Sequence, residues 1–298
     1  MKRFHIVCFG SAVVDAFVRS KFKEDNNNLL IPLGCKMLMK DLYFEIGGGG
    51  TNASVAFSRL GLKTGYIGKV GNDKNGERIL DLLKKEKITF LGEKVKEETS
   101  GFSAVLISDK LNRSILTYKG INDKIDSDNI KKFQTDWLYL SSLMNKSLET
   151  QIKLSKKLKK NKTKIAFNPS EYLIRKVNLK SLLKLCDVLI VNKEEAALLT
   201  KEKDKLKGIY GMGPNLVVIT DERRTVYAYD GVNTYSINPP KLKVVEKTGA
   251  GDAFAAGFVA GLIKNKPIKY CLKLGIRESS SVIKHTGAKN NLLRMKLK

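Results

Sequence analysis

The sequence predicts an α/β protein in which a mostly parallel sheet lies between two layers of helices. Strand-like and helix-like stretches alternate for most of the 298 residues. The strand-like stretches are short and almost continuously apolar, as strands covered on both faces must be. Two stretches break the rhythm and read as β-hairpins outside the core.

In chain order, strands are expected over Ile6–Phe9, Thr64–Val70, Trp137–Ser141, Lys164–Phe167, Val188–Val191 and Leu216–Thr220. Helices are expected over Asn52–Leu60, Gly76–Lys87, Leu148–Lys160, Glu194–Thr200, Gly251–Lys264 and Pro267–His285. Strand–helix alternation of this kind favours parallel pairing. The first irregular stretch, Phe17 to Ile46, holds a polar bend at Glu24-Asp25-Asn26-Asn27-Asn28, then strand-like LLIPLG and DLYFEI. The second, Thr99 to Lys119, gives alternating segments Phe102–Ser108 and Ser114–Tyr118 around a polar turn at Asp109–Asn112. Hairpins at such places suit a lid. No internal repeat, low-complexity tract or linker divides the chain. Residues 1–298 are therefore expected to form a single domain, with lid segments at about 17–46 and 99–119 inserted in it.

Composition narrows the function classes. At 42% hydrophobic residues the chain can bury a full core without staples. Its four cysteines, Cys8, Cys35, Cys186 and Cys271, are scattered with no CxxC pair, and His5 and His285 are its two histidines. That inventory argues against zinc and against a metal cage made of protein ligands alone. No apolar run approaches the ~20 residues of a membrane-spanning helix. The apolar stretch at the N-terminus ends at Gly10-Ser11, too short for a signal peptide, so a cytoplasmic protein is expected. Net charge is +25, with lysines densest from Lys153 to Lys164. Clustered cations can bind nucleic acid by releasing counterions. No aromatic residues interleave this run, however, and no nucleic-acid module is present. A solvated lysine-rich helix face is the favoured reading, and the positive field would help draw in an anionic nucleotide.

Three segments carry chemistry. The most informative is Thr248-Gly249-Ala250-Gly251-Asp252-Ala253-Phe254. Small residues run up to a helix start, where backbone N–H groups can approach an anion at the positive end of the dipole. Asp252 falls in the first turn beside that anion, where a carboxylate can take a proton from an attacking hydroxyl. The bland alternative is a tightly packed small-residue helix, and Gly257 and Gly261 are read that way. The second segment is Ile46-Gly47-Gly48-Gly49-Gly50-Thr51-Asn52, neither GxGxxG nor a Walker loop. Its glycines open the backbone to a ligand; alternatively it is a flexible turn with Asn52 as an N-cap. The third is Asn192-Lys193-Glu194-Glu195, directly after a strand. Asn192 and Glu195 can form a capping box, hold a hydrated Mg²⁺ through water, or do both.

In this order the three segments resemble the ribokinase-like (PfkB) carbohydrate kinase family. The resemblance runs nearly end to end, from Gly10-Ser11 and Asp15 through GGGGTN, YIGKVGND (Tyr66–Asp73) and NKEE to TGAGDAF and Thr286-Gly287-Ala288. It implies a doubly wound three-layer α/β sandwich with a small β-lid over the sugar site. It implies an ATP-dependent kinase acting on a hydroxyl of a small sugar-like substrate. Asp252 would be the base, and the Gly249-Ala250-Gly251 amides the anion hole. Asp15, Gly48, Gly49 and Asn52 would bind the substrate, with Arg113 of the lid able to supply charge. Asn192, Thr220, Glu222, Gly251 and His285 would lie along the nucleotide, and Asn192 and Glu195 would organise Mg²⁺. A homodimer through the lid is also implied.

The chain departs from the family pattern in three places. Glu246-Lys247 stands where Asp-Thr helps form a monovalent-cation site, which puts K⁺ activation in doubt. Lys247 is expected to supply a fixed charge there instead, with Glu246 as counter-charge, or to be one more surface lysine. Glu222 and Thr225 replace glycines that face the nucleotide. The glycine run lacks the lysine of GGKG, which tilts the substrate away from sugar phosphates. The competing readings are a nucleoside kinase on the same scaffold and a catalytically inactive member serving as a binding or regulatory protein.

Overall fold

Alternate residues of the central strands face two different helical layers, which is why these strands read as unbroken apolar runs. Ile6, Cys8, Tyr139, Ile190 and Val218 join one core with the helices Gly49–Arg59, Ala250–Ile263 and Ile268–Val282. Val7, Phe9, Leu140, Leu189 and Val217 join a second core on the other face with the helix Asn145–Lys159 and its neighbours. The structure is a computed structural model describing residues 2–221, 224–242, 244–285 and 287–295.

Among the described residues the central sheet has nine strands. Their spatial order is Thr234–Ile237, Val226–Tyr229, Leu216–Thr220, Val188–Asn192, Lys164–Asn168, Phe133–Ser141, Lys2–Phe9, Thr64–Ile67 and Thr89–Phe90. Pairing is parallel except where Val226–Tyr229 and Thr234–Ile237 add an antiparallel edge. From Lys2–Phe9 the chain winds first to Thr64–Ile67 on one side and later to Phe133–Ser141 on the other. This double winding opens a crevice at the carboxyl ends of the strands, the usual ligand position in such sheets.

A second, four-stranded sheet is ordered Arg113–Tyr118, Gly101–Ile107, Val13–Ser20, Met39–Gly47. It draws largely on the two irregular stretches of the sequence. Asp15 pairs in register with Glu45 and Ser103, so the three share one face. Leu42, Phe44, Leu116 and Tyr118 are exposed at 52%, 47%, 64% and 60%. They stand on the opposite face.

Several boundaries differ from expectation. The expected strand Thr64–Val70 is two strands: Lys69–Gly71 leaves the central sheet and pairs with Glu93–Val95. The break falls at Gly68, where the chain crosses Gly92 so closely that a Cβ on Gly92 would lie 1.7 Å from the Gly68 carbonyl oxygen. The helix expected from Asn52 begins at Gly49, inside the glycine run. LLIPLG is strand only as far as Leu30, before Pro32 interrupts backbone donation. Gly257 and Gly261 are packing residues: a Cβ on each would lie 2.8 Å from the Leu274 carbonyl and from Cys271 Sγ respectively.

Candidate active site

The strand ends and the small sheet enclose a cavity of about 430 Å³. Ser11, Ser141, Asn168 and Asn192 line it from the strand ends, and Asp15, Phe17, Ser103 and Val105 from the small sheet. Two glycine-led helices begin at its wall, one at Gly49 and one at Ala250.

The Ala250 helix is shaped for an anion. Gly249 caps it at φ +77°, and a Cβ there would sit 2.4 Å from the Ala288 side chain, so only glycine closes this turn without strain. No side chain caps this end. The Ala250 amide donates to the Lys247 carbonyl at 3.2 Å. The next two amides, of Gly251 and Asp252, have by helix geometry no intrahelical acceptor. A Cβ on Gly251 would meet nothing within 4 Å, so the cavity is open at that point.

Asp252 is half-buried on this first turn. Burial pushes its carboxyl above the usual range, while the Asn52 hydrogen bond and the Lys289 charge pull the other way. Asn52 Nδ2 donates to Asp252 Oδ2 at 2.8 Å across 200 residues of sequence. Asn52 Oδ1 in turn accepts from Lys289 Nζ at 2.5 Å. The glycine run positions Asn52: Gly48 adopts φ +94°, with a would-be Cβ 2.5 Å from the Ser11 carbonyl. The Gly50 and Thr51 amides donate to that same carbonyl at 3.1 and 3.3 Å. Asp15 faces the cavity from the small sheet, its carboxyl raised by burial against the Ser103 hydrogen bond and Lys289.

Asn192 and Glu195 form the capping box in full. Glu195 N–H donates to Asn192 Oδ1 and Asn192 N–H to Glu195 Oε2, both at 2.8 Å. Burial pushes Glu195 up to about 7, and both side chains line the cavity. Among the described residues no group of three or more His, Cys, Asp or Glu could hold a metal ion.

A second cavity of about 310 Å³ adjoins the first. Its walls are more apolar, with Val226, Pro239, Val244, Ile276 and Ile283. The two cavities share Asn192, Thr220, Gly251 and Phe254. Asp252 lines the first and Ala250 the second, so they meet at the start of this helix.

Of the residues singled out from sequence, Asp15, Gly48, Gly49, Asn192, Glu195, Thr220, Gly249, Gly251 and Asp252 line the first cavity, and Ala250 the second. Asn52 reaches it through Asp252. Arg113 turns toward the loop that leads into the Ala250 helix, pairing with Glu246 at 3.0 Å and donating to the Thr248 hydroxyl. The other Glu246 oxygen accepts from the Gly287 amide at 2.9 Å, so Arg113 and Gly287 engage this carboxylate. Lys247 is exposed and lines the second cavity. His285 is exposed and lines neither cavity. Glu222 lies outside the described residues. Sequence reasoning missed Lys289, Ser103, Ser141 and Asn168. Lys289 directly follows Gly287-Ala288, a motif already noted, and that adjacency was the signal to follow.

Comparison with known proteins identifies the family and the fold. A family model for pfkB family carbohydrate kinases matches residues 3–294. An uncharacterised sugar kinase of Archaeoglobus fulgidus is 30% identical over 249 residues, 80% of this chain and 99% of that protein. A ribokinase of Lactococcus lactis is 30% identical over 261 residues, covering 86% of this chain and 85% of the relative. The structure of Arabidopsis thaliana ribokinase complexed with ribose and ATP superposes with a TM-score of 0.83, covering 99% of this chain and 96% of that one at 20% identity.

Proposed function

Because the chain belongs to the pfkB family of carbohydrate kinases and is a phosphotransferase acting on a hydroxyl, we propose that it moves the γ-phosphoryl group of ATP to a primary alcohol of a sugar or sugar-like substrate, with Asp252 as the base. The observation that carries this reading is the meeting of two cavities at one uncapped helix start, with Asp252 on one side of it. An apolar cleft suits a nucleotide base, and the polar cavity suits a polyhydroxylated acceptor.

Asp15, Gly48, Gly49 and Asn52 hold the acceptor hydroxyls in this scheme. Asp252 accepts the hydroxyl proton as the oxygen–phosphorus bond forms and the bond to the departing ADP breaks. The Gly249–Gly251 backbone stabilises the transferring group, with Gly251 the most open of the three; positioning and charge stabilisation supply most of the rate. Asn192, Thr220 and Gly251 lie along the nucleotide. The oxygen donors of Asn192 and Glu195 fit a hydrated Mg²⁺ held through water, an ion that would neutralise phosphate charge. Glu246 is engaged by Arg113 and Gly287, which supports leaving K⁺ out of the scheme. The small sheet acts as a lid that excludes water, and its exposed outer face supports pairing of two copies there. We place the enzyme in the cytoplasm, where ATP is supplied.

A nucleoside acceptor is the second reading. Phe17, Val105 and Ile115 form an apolar wall beside the polar groups, where a base could lie. An ATP-consumption assay against sugars, sugar phosphates and nucleosides tests both. Turnover of a free sugar or nucleoside supports the proposal, and no turnover of any panel member with ATP and Mg²⁺ contradicts it.

A further inference from the structure

We propose that Lys289 is a positioning residue for phosphoryl transfer: its ammonium sets the orientation of the Asn52 amide and, through that amide, of the Asp252 carboxylate. The inference rests on Asp252 being the base.

The chemistry of the three groups dictates the arrangement. An ammonium can only donate, so the Asn52 oxygen must face Lys289 and its NH₂ must face Asp252. The distances follow that order, 2.5 Å from Lys289 Nζ to Asn52 Oδ1 and 2.8 Å from Asn52 Nδ2 to Asp252 Oδ2. Lys289 Nζ also donates to the Ile46 carbonyl, at the mouth of the glycine run. That run, Gly47-Gly48-Gly49-Gly50, carries no cation of its own. Without the lysine the amide is free to turn, and its oxygen would then oppose a carboxylate that has nothing to donate.

The position is built rather than incidental. Lys289 is only 6% exposed, and a cation is seldom buried without a task and partners. Its backbone carbonyl accepts from Arg59 Nη1 at 2.6 Å. Arg59 is clamped by Glu86 through two hydrogen bonds of 2.5 and 3.0 Å, and its own carbonyl accepts from the Met295 amide at 2.8 Å. Glu278 on the Ile268–Val282 helix receives the Leu293 amide at 3.0 Å. These bonds strap the C-terminal segment to two helices and fix where Lys289 enters the site. The charged groups around the ammonium are Asp15 and Glu45 of the small sheet, Asp252 of the Ala250 helix, and Arg59 of the Gly49 helix. Burial brings Lys289 down to about 8, with the three carboxylates opposing and Arg59 assisting. The ammonium is therefore present at neutral pH and is lost as pH rises through about 8.

The test uses the full chain with ATP and ribose, or the panel acceptor turned over fastest. Lys289→Met is expected to lower kcat about tenfold to a hundredfold, the scale of a misplaced reacting group, with the KM for ATP within about twofold. Its acid limb should move to higher pH, because a charge that favours ionised Asp252 is gone. Asn52→Ala combined with Lys289→Met should cost little more than either alone. Lys289→Arg should recover part of kcat, and keep it above the pH at which the wild type declines. Wild-type kcat and pH profile in Lys289→Met would overturn the proposal, as would fully multiplicative losses in the double variant. If Lys289→Met fails to fold, the wild-type profile decides: a kcat that stays level from about pH 7 to about pH 10 contradicts it. Asp252→Asn measured alongside separates the two readings. Undiminished turnover there removes the base assignment itself. Loss of turnover there with an unaffected Lys289→Met removes only the role of Lys289.

Discussion

Two helices begin at the same cavity and treat their first-turn amides in opposite ways. The Lys193–Leu199 helix satisfies its own start, with Asn192 and Glu195 bonding reciprocally in a capping box. The Ala250–Ile263 helix has no side-chain cap, and its N-cap is a glycine in the left-handed region. A helix start that is closed by its own side chains can organise a neighbour but has fewer amides to offer. One left open, with a carboxylate on its first turn, can hold an anion and take a proton beside it. The two starts differ in their hydrogen bonds, one capped by side chains and the other not.

The sharpest way to break the contrast is to close the open start. Gly249→Val forces a branched side chain to φ +77° and against Ala288. It is expected to lower kcat on the order of 10³-fold, at the upper end for loss of an anion-hole donor, and to lower the melting temperature. Near-normal turnover would show that the loop geometry is not used. Next in size, Asn192→Ala removes the capping-box acceptor of the closed start. Unfolding free energy should fall by roughly 1 kcal/mol, read by chemical denaturation. A smaller change would mean that water replaces the cap.

Glu195→Gln probes the closed helix start through pH. Burial holds the folded Glu195 up at about 7, above its unfolded value. Its contribution is therefore fully present below the unfolded pKa and is lost as pH rises through about 7. Gln keeps the capping geometry without the charge. The variant should melt above the wild type at about pH 8, and the difference should shrink as pH falls to about 5. A constant difference across that range would contradict the burial argument. The smallest expected effect is at the small sheet. Arg113→Ala removes its pair with Glu246, a partly exposed bond worth about 1 kcal/mol or less. A few-fold rise in KM with kcat nearly unchanged is expected, and a collapse of kcat would make Arg113 part of the chemistry.

The layered fold was legible because local signals carry it. The runs at Ile6–Phe9 and Val188–Val191 are apolar on both faces, and their neighbours amphipathic. What failed was local in appearance but non-local in cause. Nothing near Gly68 announces that Gly92 crosses its backbone and divides one strand into two. The glycine run read as a loop, yet its third glycine begins a helix because the Ser11 carbonyl receives the Gly50 and Thr51 amides. In the site, Asp252 and Asn192 were visible because their motifs are contiguous. Lys289 was not, since it reaches Asn52 across 237 residues and depends on a strap built from Arg59, Glu86 and Glu278. Arg113 was visible as a charge, but its partner Glu246 was paired in sequence with Lys247.

In the proposed scheme Asp252 works as a base beside a nucleotide it does not itself bind. Asp252→Asn preserves size and the contact with Asn52 while removing the charge. The direct measurement is kcat together with ADP affinity by calorimetry, in wild type and variant. A kcat lower by roughly 10²-fold or more is expected, with ADP affinity within about twofold. Wild-type activity is also expected to fall with acid above the ordinary aspartate range, because burial raises Asp252 and the base must be ionised. Undiminished turnover in Asp252→Asn, or an equal loss of ADP binding and rate, would rule out this role for Asp252.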